Sequence, residues 1–175
     1  MRLNQARPPP WPYTDSMVTD DPCAEEEQEQ EDYSICIGAY LTDPEDKIGH
    51  AFISVEYPKG QKTTKGFYPQ DDPGDVIVEK IIDPKARILG VDGVVDDDTE
   101  YLKKPGSRIK CFSITETQAQ AALARITEYE DEKPDYHLLT NQCAVFAVRV
   151  LRAAGQNIDA GFPMRPTALY ETIGP

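Results

Sequence analysis

The run from 144 to 154 constrains the fold of this chain more than any other segment. Its eleven residues, AVFAVRVLRAA, carry only two charges, those of Arg149 and Arg152. A helix that is apolar nearly all round must be buried, so we expect this segment to lie at the centre of the domain. Gly155 follows it, and glycine favours a helix end because it adopts the left-handed conformation without a steric cost.

Cys143 stands where the polar loop 136–142 runs into this helix. A thiol at a helix N-terminus faces free backbone N–H groups and the positive end of the helix dipole, and both favour the nucleophilic thiolate. The alternative is a cysteine that packs as a small hydrophobic residue. On this stretch alone the two interpretations are near even.

Charge and composition narrow the classes of partner. The chain of 175 residues has 31 acidic and 18 basic residues and a formal net charge of −13. Nucleic acids and anionic membranes attract basic patches, so we expect neither nucleic-acid binding nor membrane insertion.

Residues 1–32 are proline-rich and then acidic, which predicts a disordered tail before a single domain over 33–175. The sequence shows no signal-peptide core, so we expect synthesis in the cytoplasm without a signal peptide.

The four cysteines, at 23, 36, 111 and 143, follow neither C-x-x-C spacing nor a histidine-rich pattern. We therefore expect no metal site and no cofactor. Reduced thiols are the simpler expectation for a protein made in the cytoplasm. The triplet Asp96-Asp97-Asp98 lacks the spacing of a calcium loop, so we interpret it as a solvated turn.

Hydrophobic periodicity predicts a sheet followed by helices. Apolar or alternating runs bounded by turn residues predict strands at 33–41, 49–57, 62–68 and 108–114, with a hairpin turn at 58–61. Residues 76–82 fit a strand or a short helix, and 90–98 is expected to be a loop.

A helix is predicted to open at Thr115, because Thr115 and Gln118 form the sequence pattern of a capping box. The helix is predicted to run to about Glu130, and one of its faces, which would point at the core, carries Ala119, Ala122, Leu123 and Ile126.

A catalytic cysteine needs a base that holds the thiolate–imidazolium pair and later protonates the leaving group. The chain has two histidines. His137 lies six residues before Cys143 on the approach loop, where pairing with the thiol is awkward. His50 stands at the start of a predicted strand and is our choice of base. Taken alone, it would be better interpreted as a partly buried histidine bonded to a backbone carbonyl.

Three stretches together resemble a known family. They are G-H-A-F-I-S-V at 49–55, G-F-Y-P at 66–69, and Y-x-L-L-T-N-x-C-A-x-F at 136–146. In this order they resemble the circularly permuted NlpC-like branch of the papain superfamily, and most closely the toxin or effector domains of contractile (type VI) secretion systems. The resemblance implies an α+β, papain-like fold in which a small antiparallel sheet packs on a central helix that bears the cysteine.

The resemblance also implies roles for particular residues. Cys143 matches the nucleophile and His50 the base. The family places a polar residue, often His, Asn or Gln, on the strand after the histidine to orient the imidazole. Here that strand offers Lys62, Thr63 and Thr64, with Tyr68 further on. None is the usual choice, so the chain departs from the pattern, and Thr64 is the residue we assign there. Gln142, with the backbone N–H of Cys143, is assigned to the oxyanion hole.

The activity implied is a cysteine hydrolase that cleaves amide bonds, most simply a peptidoglycan amidase or endopeptidase acting as an antibacterial effector. Such an effector would have a peptide substrate, delivery machinery, and a cognate immunity protein, and would act in the periplasm of a target cell. Two alternatives remain open at this point. One is an acyl hydrolase, acyltransferase or protease toxin that acts on a host lipid or protein. The other is a catalytically inactive binding module of the same fold.

Overall fold

A computed structural model describes residues 32–43, 48–70, 90–161 and 163–174. The predicted tail up to residue 31 and the ambiguous segment 76–82 lie outside the described residues. Within the described ranges, the protein is α+β, with a five-stranded antiparallel sheet and three α-helices. No helix of the described part is long and apolar enough to cross a membrane.

The sheet has the strand order β4-β3-β2-β1-β5. All its neighbouring strands are antiparallel. The strands are β1 (Tyr33–Asp43), β2 (Ile48–Glu56), β3 (Lys62–Pro69), β4 (Gly93–Asp97) and β5 (Arg108–Ile114).

Strands β1, β2, β3 and β5 confirm the sequence prediction. Between β2 and β3 the chain turns through Pro58–Gly60, where Lys59 and Gly60 adopt positive φ angles of 73° and 81°. The expectation that 90–98 is entirely a loop is wrong. Residues 93–97 form β4, because β3 offers an unpaired edge to which they bond, with Val95 opposite Phe67.

The helices are α1 (Glu116–Glu132), α2 (Cys143–Ala153) and α3 (Pro166–Ile173). The capping box at the start of α1 is confirmed, since Gln118 accepts from the backbone of Thr115 at 2.9 Å and donates to its hydroxyl at 3.3 Å. Helix α2 is buried along nearly its whole length. Gly155 ends it with a φ of 72°. These three predictions therefore hold.

Alternation along the strands gives the sheet two different faces. One face carries Ile37, Ile53 and Phe67, which pack with α1 and α2 in the main core. The opposite face of the same strands carries His50 and Phe52, both buried. This second face, together with the chain that follows β4, holds the polar groups described below.

Cys36 and Cys111 form a disulfide between β1 and β5. They lie directly opposite each other in the antiparallel register, with Cα atoms 4.0 Å apart, although 75 residues separate them in sequence. The expectation of reduced thiols is therefore wrong for this pair. The two cysteines meet because β1 pairs with β5, and no local sequence pattern reveals that pairing. Cys143 is a free cysteine.

Candidate active site

Cys143 is the first residue of α2 and is only 4% exposed. Gln142 caps the helix, because its side-chain oxygen accepts a hydrogen bond from the backbone N–H of Ala144 at 2.7 Å. The thiol donates to the same oxygen at 3.4 Å. The sequence prediction of a cysteine at a helix N-terminus is thus confirmed in its placement.

His50 lies near the start of β2 and is buried. Its Nε2 atom is 2.6 Å from Oδ2 of Asp98. The Cys143 thiol is close enough to the imidazole to raise its pKa. Because Nε2 is engaged by Asp98, Nδ1 is the ring nitrogen that is left for the thiol. The fold therefore brings together Cys143 and His50. These two residues are 93 positions apart in the sequence, and we predicted that they would pair.

The surroundings of His50 favour its protonated form. Burial alone would lower the pKa of the imidazole, but hydrogen bonds to Asp98 and Cys143 and the charges of both groups raise it to about 9. A carboxylate on one nitrogen and a thiol on the other are the partners that an imidazolium needs. The histidine can therefore carry a proton at neutral pH, as the conjugate partner of a thiolate must.

Asp98 directly follows β4 and is 1% exposed. Its Oδ1 atom accepts a hydrogen bond from the Tyr68 hydroxyl, and its backbone N–H donates to the carbonyl of Thr64 at 3.1 Å. The prediction of a solvated turn is wrong for Asp98, although its neighbours Asp96 and Asp97 are exposed. The pairing of β4 with β3 turns this last carboxylate inward, where it meets His50.

Asp97 has a local role. Its carboxylate accepts from the backbone N–H and the hydroxyl of Thr99, both at 3.1 Å, and so fixes the short 3-10 turn Thr99–Leu102.

Among the described residues, no group of three or more His, Cys, Asp or Glu side chains is arranged to hold a metal ion.

Two tyrosine rings flank the imidazole. Tyr68 on β3 stacks on His50, with ring centroids 4.5 Å apart and planes inclined by 18°. Tyr101, from the 3-10 turn, lies at 5.1 Å with an inclination of 49°. Burial and the charge of Asp98 raise the pKa of both phenols, so each remains a hydrogen-bond donor at neutral pH.

A third tyrosine, Tyr136, contacts the cysteine itself. It is 7% exposed, and its hydroxyl is close enough to the thiol and backbone of Cys143 for both to affect its pKa. Burial first, and then the charge of Cys143 and the bond to its side chain, raise the pKa of this phenol well above its usual value. The sequence named Tyr136 only as the first residue of a motif and gave it no role.

Gly66 is what allows Asp98 and His50 to meet over β3. A Cβ atom at this position would lie 1.9 Å from Oδ2 of Asp98 and 2.6 Å from Nε2 of His50. Any side chain at residue 66 would therefore displace the hydrogen bond between them. Gly66 belongs to the G-F-Y-P stretch, so this motif has a physical function in the site.

Thr64 is not placed where the sequence prediction put it. Its hydroxyl is 2.9 Å from that of Ser54, its partner across the β2–β3 pair, and the two are buried together. The register sets this outcome. Phe52 lies opposite Gly66, so the strand position beside His50 belongs to Tyr68, four residues beyond Thr64. Among the described residues, Asp98 and not Thr64 bonds to the imidazole of His50.

Gln142 also differs from its assigned role. Its amide oxygen caps α2, and its amide nitrogen donates to the backbone carbonyl of Met164. Both ends of the side chain are thus used inside the protein, and the residue is only 3% exposed. The assignment of Gln142 to the oxyanion hole is replaced by a structural role at the helix start.

His137, the histidine not chosen as base, lies against Gly90.

Comparison with known proteins gives two matches. Residues 110–174 match the family model described as the Lnb N-terminal periplasmic domain. This span includes Cys143 and Tyr136 and excludes His50 and Asp98, and it is less than half of the chain. No curated protein sequence is significantly similar to the chain.

Among solved structures, the fold is similar to the crystal structure of the type VI secretion system effector TseH. The TM-score is 0.56 at 14% sequence identity, and the match covers 83% of this chain and 88% of TseH. At this level of identity the likeness shows a shared fold.

Proposed function

We propose that this protein is a cysteine hydrolase that cleaves amide bonds, with Cys143 as nucleophile, His50 as acid and base, and Asp98 as the residue that orients the imidazole. One observation carries the proposal: a buried imidazole is held between the carboxylate of Asp98 and the thiol of Cys143. A nucleophile, a base and an orienting third group in this order are the parts that covalent acyl transfer requires.

The reaction begins from the thiolate–imidazolium pair. The sulfur of Cys143 attacks the carbonyl carbon of the amide, and a C–S bond forms as the carbonyl oxygen becomes negative. When the tetrahedral intermediate collapses, the C–N bond breaks and His50 gives its proton to the leaving amine. Water, deprotonated by His50, then attacks the thioester and releases a carboxylic acid and the free cysteine.

The negative carbonyl oxygen needs hydrogen-bond donors next to the sulfur. The backbone N–H of Cys143 lies beside the sulfur at the start of the helix, and the Tyr136 hydroxyl lies close to the same residue. We assign the oxyanion to these two donors, in place of Gln142.

Peptidoglycan is the substrate we propose, with the protein acting as an antibacterial effector in the periplasm. The fold similarity to a type VI effector supports delivery by such a system, and the partial match to a periplasmic domain supports the compartment. The disulfide between Cys36 and Cys111 supports it further, because disulfides persist in oxidising compartments such as the periplasm. A cognate immunity protein in the producing cell belongs to the same proposal.

An inactive binding module was the alternative from a different functional class. Its ground in the sequence was the lack of an orthodox third residue. Asp98 has the charge, burial and hydrogen bond that this role needs, so we favour an active enzyme.

Expression in a bacterial host tests the proposed compartment and substrate together. Wild type and Cys143→Ala are each produced with and without a periplasmic signal, and growth and muropeptides are followed. We expect killing and altered muropeptides from periplasmic wild type alone. Cysteine-dependent killing confined to the cytoplasm, with unchanged muropeptides, would favour a host lipid or protein as the substrate instead.

A further inference from the structure

The carboxylate of Asp98 has a partner on each oxygen. Oδ2 is 2.6 Å from Nε2 of His50, and Oδ1 accepts from the hydroxyl of Tyr68. Since Asp98 is 1% exposed, water is not available to replace a missing partner. A buried charged group that loses a hydrogen bond bears the full cost of its desolvation, so the second oxygen matters as much as the first.

Tyr68 contacts two members of the site with two parts of its side chain. Its ring stacks on the imidazole of His50 at 4.5 Å, while its hydroxyl reaches past that ring to Asp98. The residue is itself buried, at 7% exposure. A single side chain therefore restrains both the plane of the histidine and the position of the carboxylate.

We propose that Tyr68 is a positioning residue that keeps the Asp98 carboxylate aimed at His50, and so sustains the reactivity of the Cys143–His50 pair. The inference rests on the proposed roles of Cys143 and His50. It adds a fourth member to the hydrogen-bonded chain, which then runs from Tyr68 through Asp98 and His50 to Cys143.

Other groups around the pair are phenols. Tyr40 on β1 lies opposite His50 in the strand register, Tyr101 flanks the imidazole on the 3-10 turn, and Tyr136 contacts the thiol. Among the described residues, Asp98 and Cys143 are the groups that raise the pKa of His50. The pH dependence of thiol reactivity below about pH 9 therefore reports on this chain of groups.

The test measures the rate at which iodoacetamide alkylates Cys143 as a function of pH, which needs no substrate. Tyr68→Phe keeps the stacked ring and removes the hydroxyl. We expect alkylation at pH 7 to slow by about tenfold and the rate profile to move to higher pH by about one unit. Tyr57→Phe is the matched control, because its hydroxyl is 3.4 Å from that of Thr63, beyond the end of β2 opposite to His50, and its loss should leave the profile unchanged.

A double-mutant cycle separates action through Asp98 from general damage. In an Asp98→Asn background, Tyr68→Phe should cause no further shift, because the carboxylate on which it acts has gone. Additive shifts would overturn the proposal. So would an unchanged profile in Tyr68→Phe, provided that His50→Gln does alter it. An unchanged profile in His50→Gln would instead contradict the Cys143–His50 pair and with it the proposed function.

A measurement on the wild type covers the case in which Tyr68→Phe does not fold. The hydroxyl proton of Tyr68 should be protected from exchange and visible by NMR, because it is buried against a carboxylate. A Tyr68 hydroxyl proton that exchanges rapidly with water in the folded protein would overturn the proposal.

Discussion

The carboxylate of Asp98 lies 2.6 Å from Nε2 of His50, although the two residues are 48 positions apart in sequence. Asp98 comes directly after the edge strand β4, whereas His50 belongs to β2, so β3 lies between their strands. The missing side chain at Gly66 leaves the space through which they meet. This contact converts a cysteine–histidine pair into a three-membered arrangement with an anionic orienting group.

Replacing Asp98 should harm activity far more than replacing Thr64. Asp98→Asn removes the charge that stabilises the imidazolium, and we expect turnover to fall by about 100-fold or more. Thr64→Val removes only the bond to Ser54 and should leave turnover within about threefold of wild type. The measurement compares initial rates of the two variants on any amide substrate that is turned over. Thermal unfolding checks that both variants are folded. The opposite ranking would restore Thr64 as the orienting residue.

The sequence predicted the parts of the site that depend on local patterns. The apolar helix, the cysteine at its start and the histidine at a strand start could be read from periodicity and motif. Asp98 could not be identified as a partner of His50, because their contact depends on β4 pairing with β3, and residues 90–98, with two glycines and four aspartates, have the composition of a loop. Thr64 was assigned by strand identity alone, and the register shows that Tyr68 has the position beside His50. The disulfide was missed because it needs β1 to pair with β5.

Gly66→Ala should disable the site while leaving most of the sheet intact. The new Cβ atom would stand 1.9 Å from Oδ2 of Asp98, so the bond to His50 must lengthen or break. Gly38→Ala is a matched control, because its Cβ atom would meet the ring of Phe52 at 2.2 Å and also disturbs the same face of the sheet. We expect both variants to lose thermal stability, and alkylation of Cys143 to slow markedly more in Gly66→Ala. Equal alkylation rates in the two variants would show that the His50–Asp98 contact does not control the thiol.

Protonation of His50 should make the stability of the fold depend on pH. The pKa of this imidazole is raised from 6.5 to about 9 in the folded protein. Since the folded state holds the proton more tightly, the stabilisation is complete below about pH 6.5 and is lost as the pH rises through about 9. The free energy of unfolding of wild type should therefore decrease as the pH rises between these values. Urea titrations from pH 6 to pH 10 check this, and a decline just as large in His50→Gln would assign the effect to other groups.

The disulfide should contribute directly to stability. A bridge across 75 residues restricts the unfolded chain, and its removal costs about 2–4 kcal/mol in proteins of this kind. We expect Cys36→Ala/Cys111→Ala to unfold at a lower temperature than wild type, and a reducing agent to lower the melting temperature of wild type but not of the double variant. A reducing agent that leaves wild type unaffected would mean that the two thiols are not bridged in solution.

Digestion of isolated sacculi by the purified protein tests the central claim most directly. Wild type should release muropeptides in which one amide bond has gained a molecule of water, leaving a new amine and a new carboxylate. Cys143→Ala and His50→Gln should release none, and Asp98→Asn only traces, whereas His137→Ala should remain active. Products that appear equally with Cys143→Ala, or intact sacculi after prolonged incubation with folded wild type, would contradict a cysteine amidase of the cell wall.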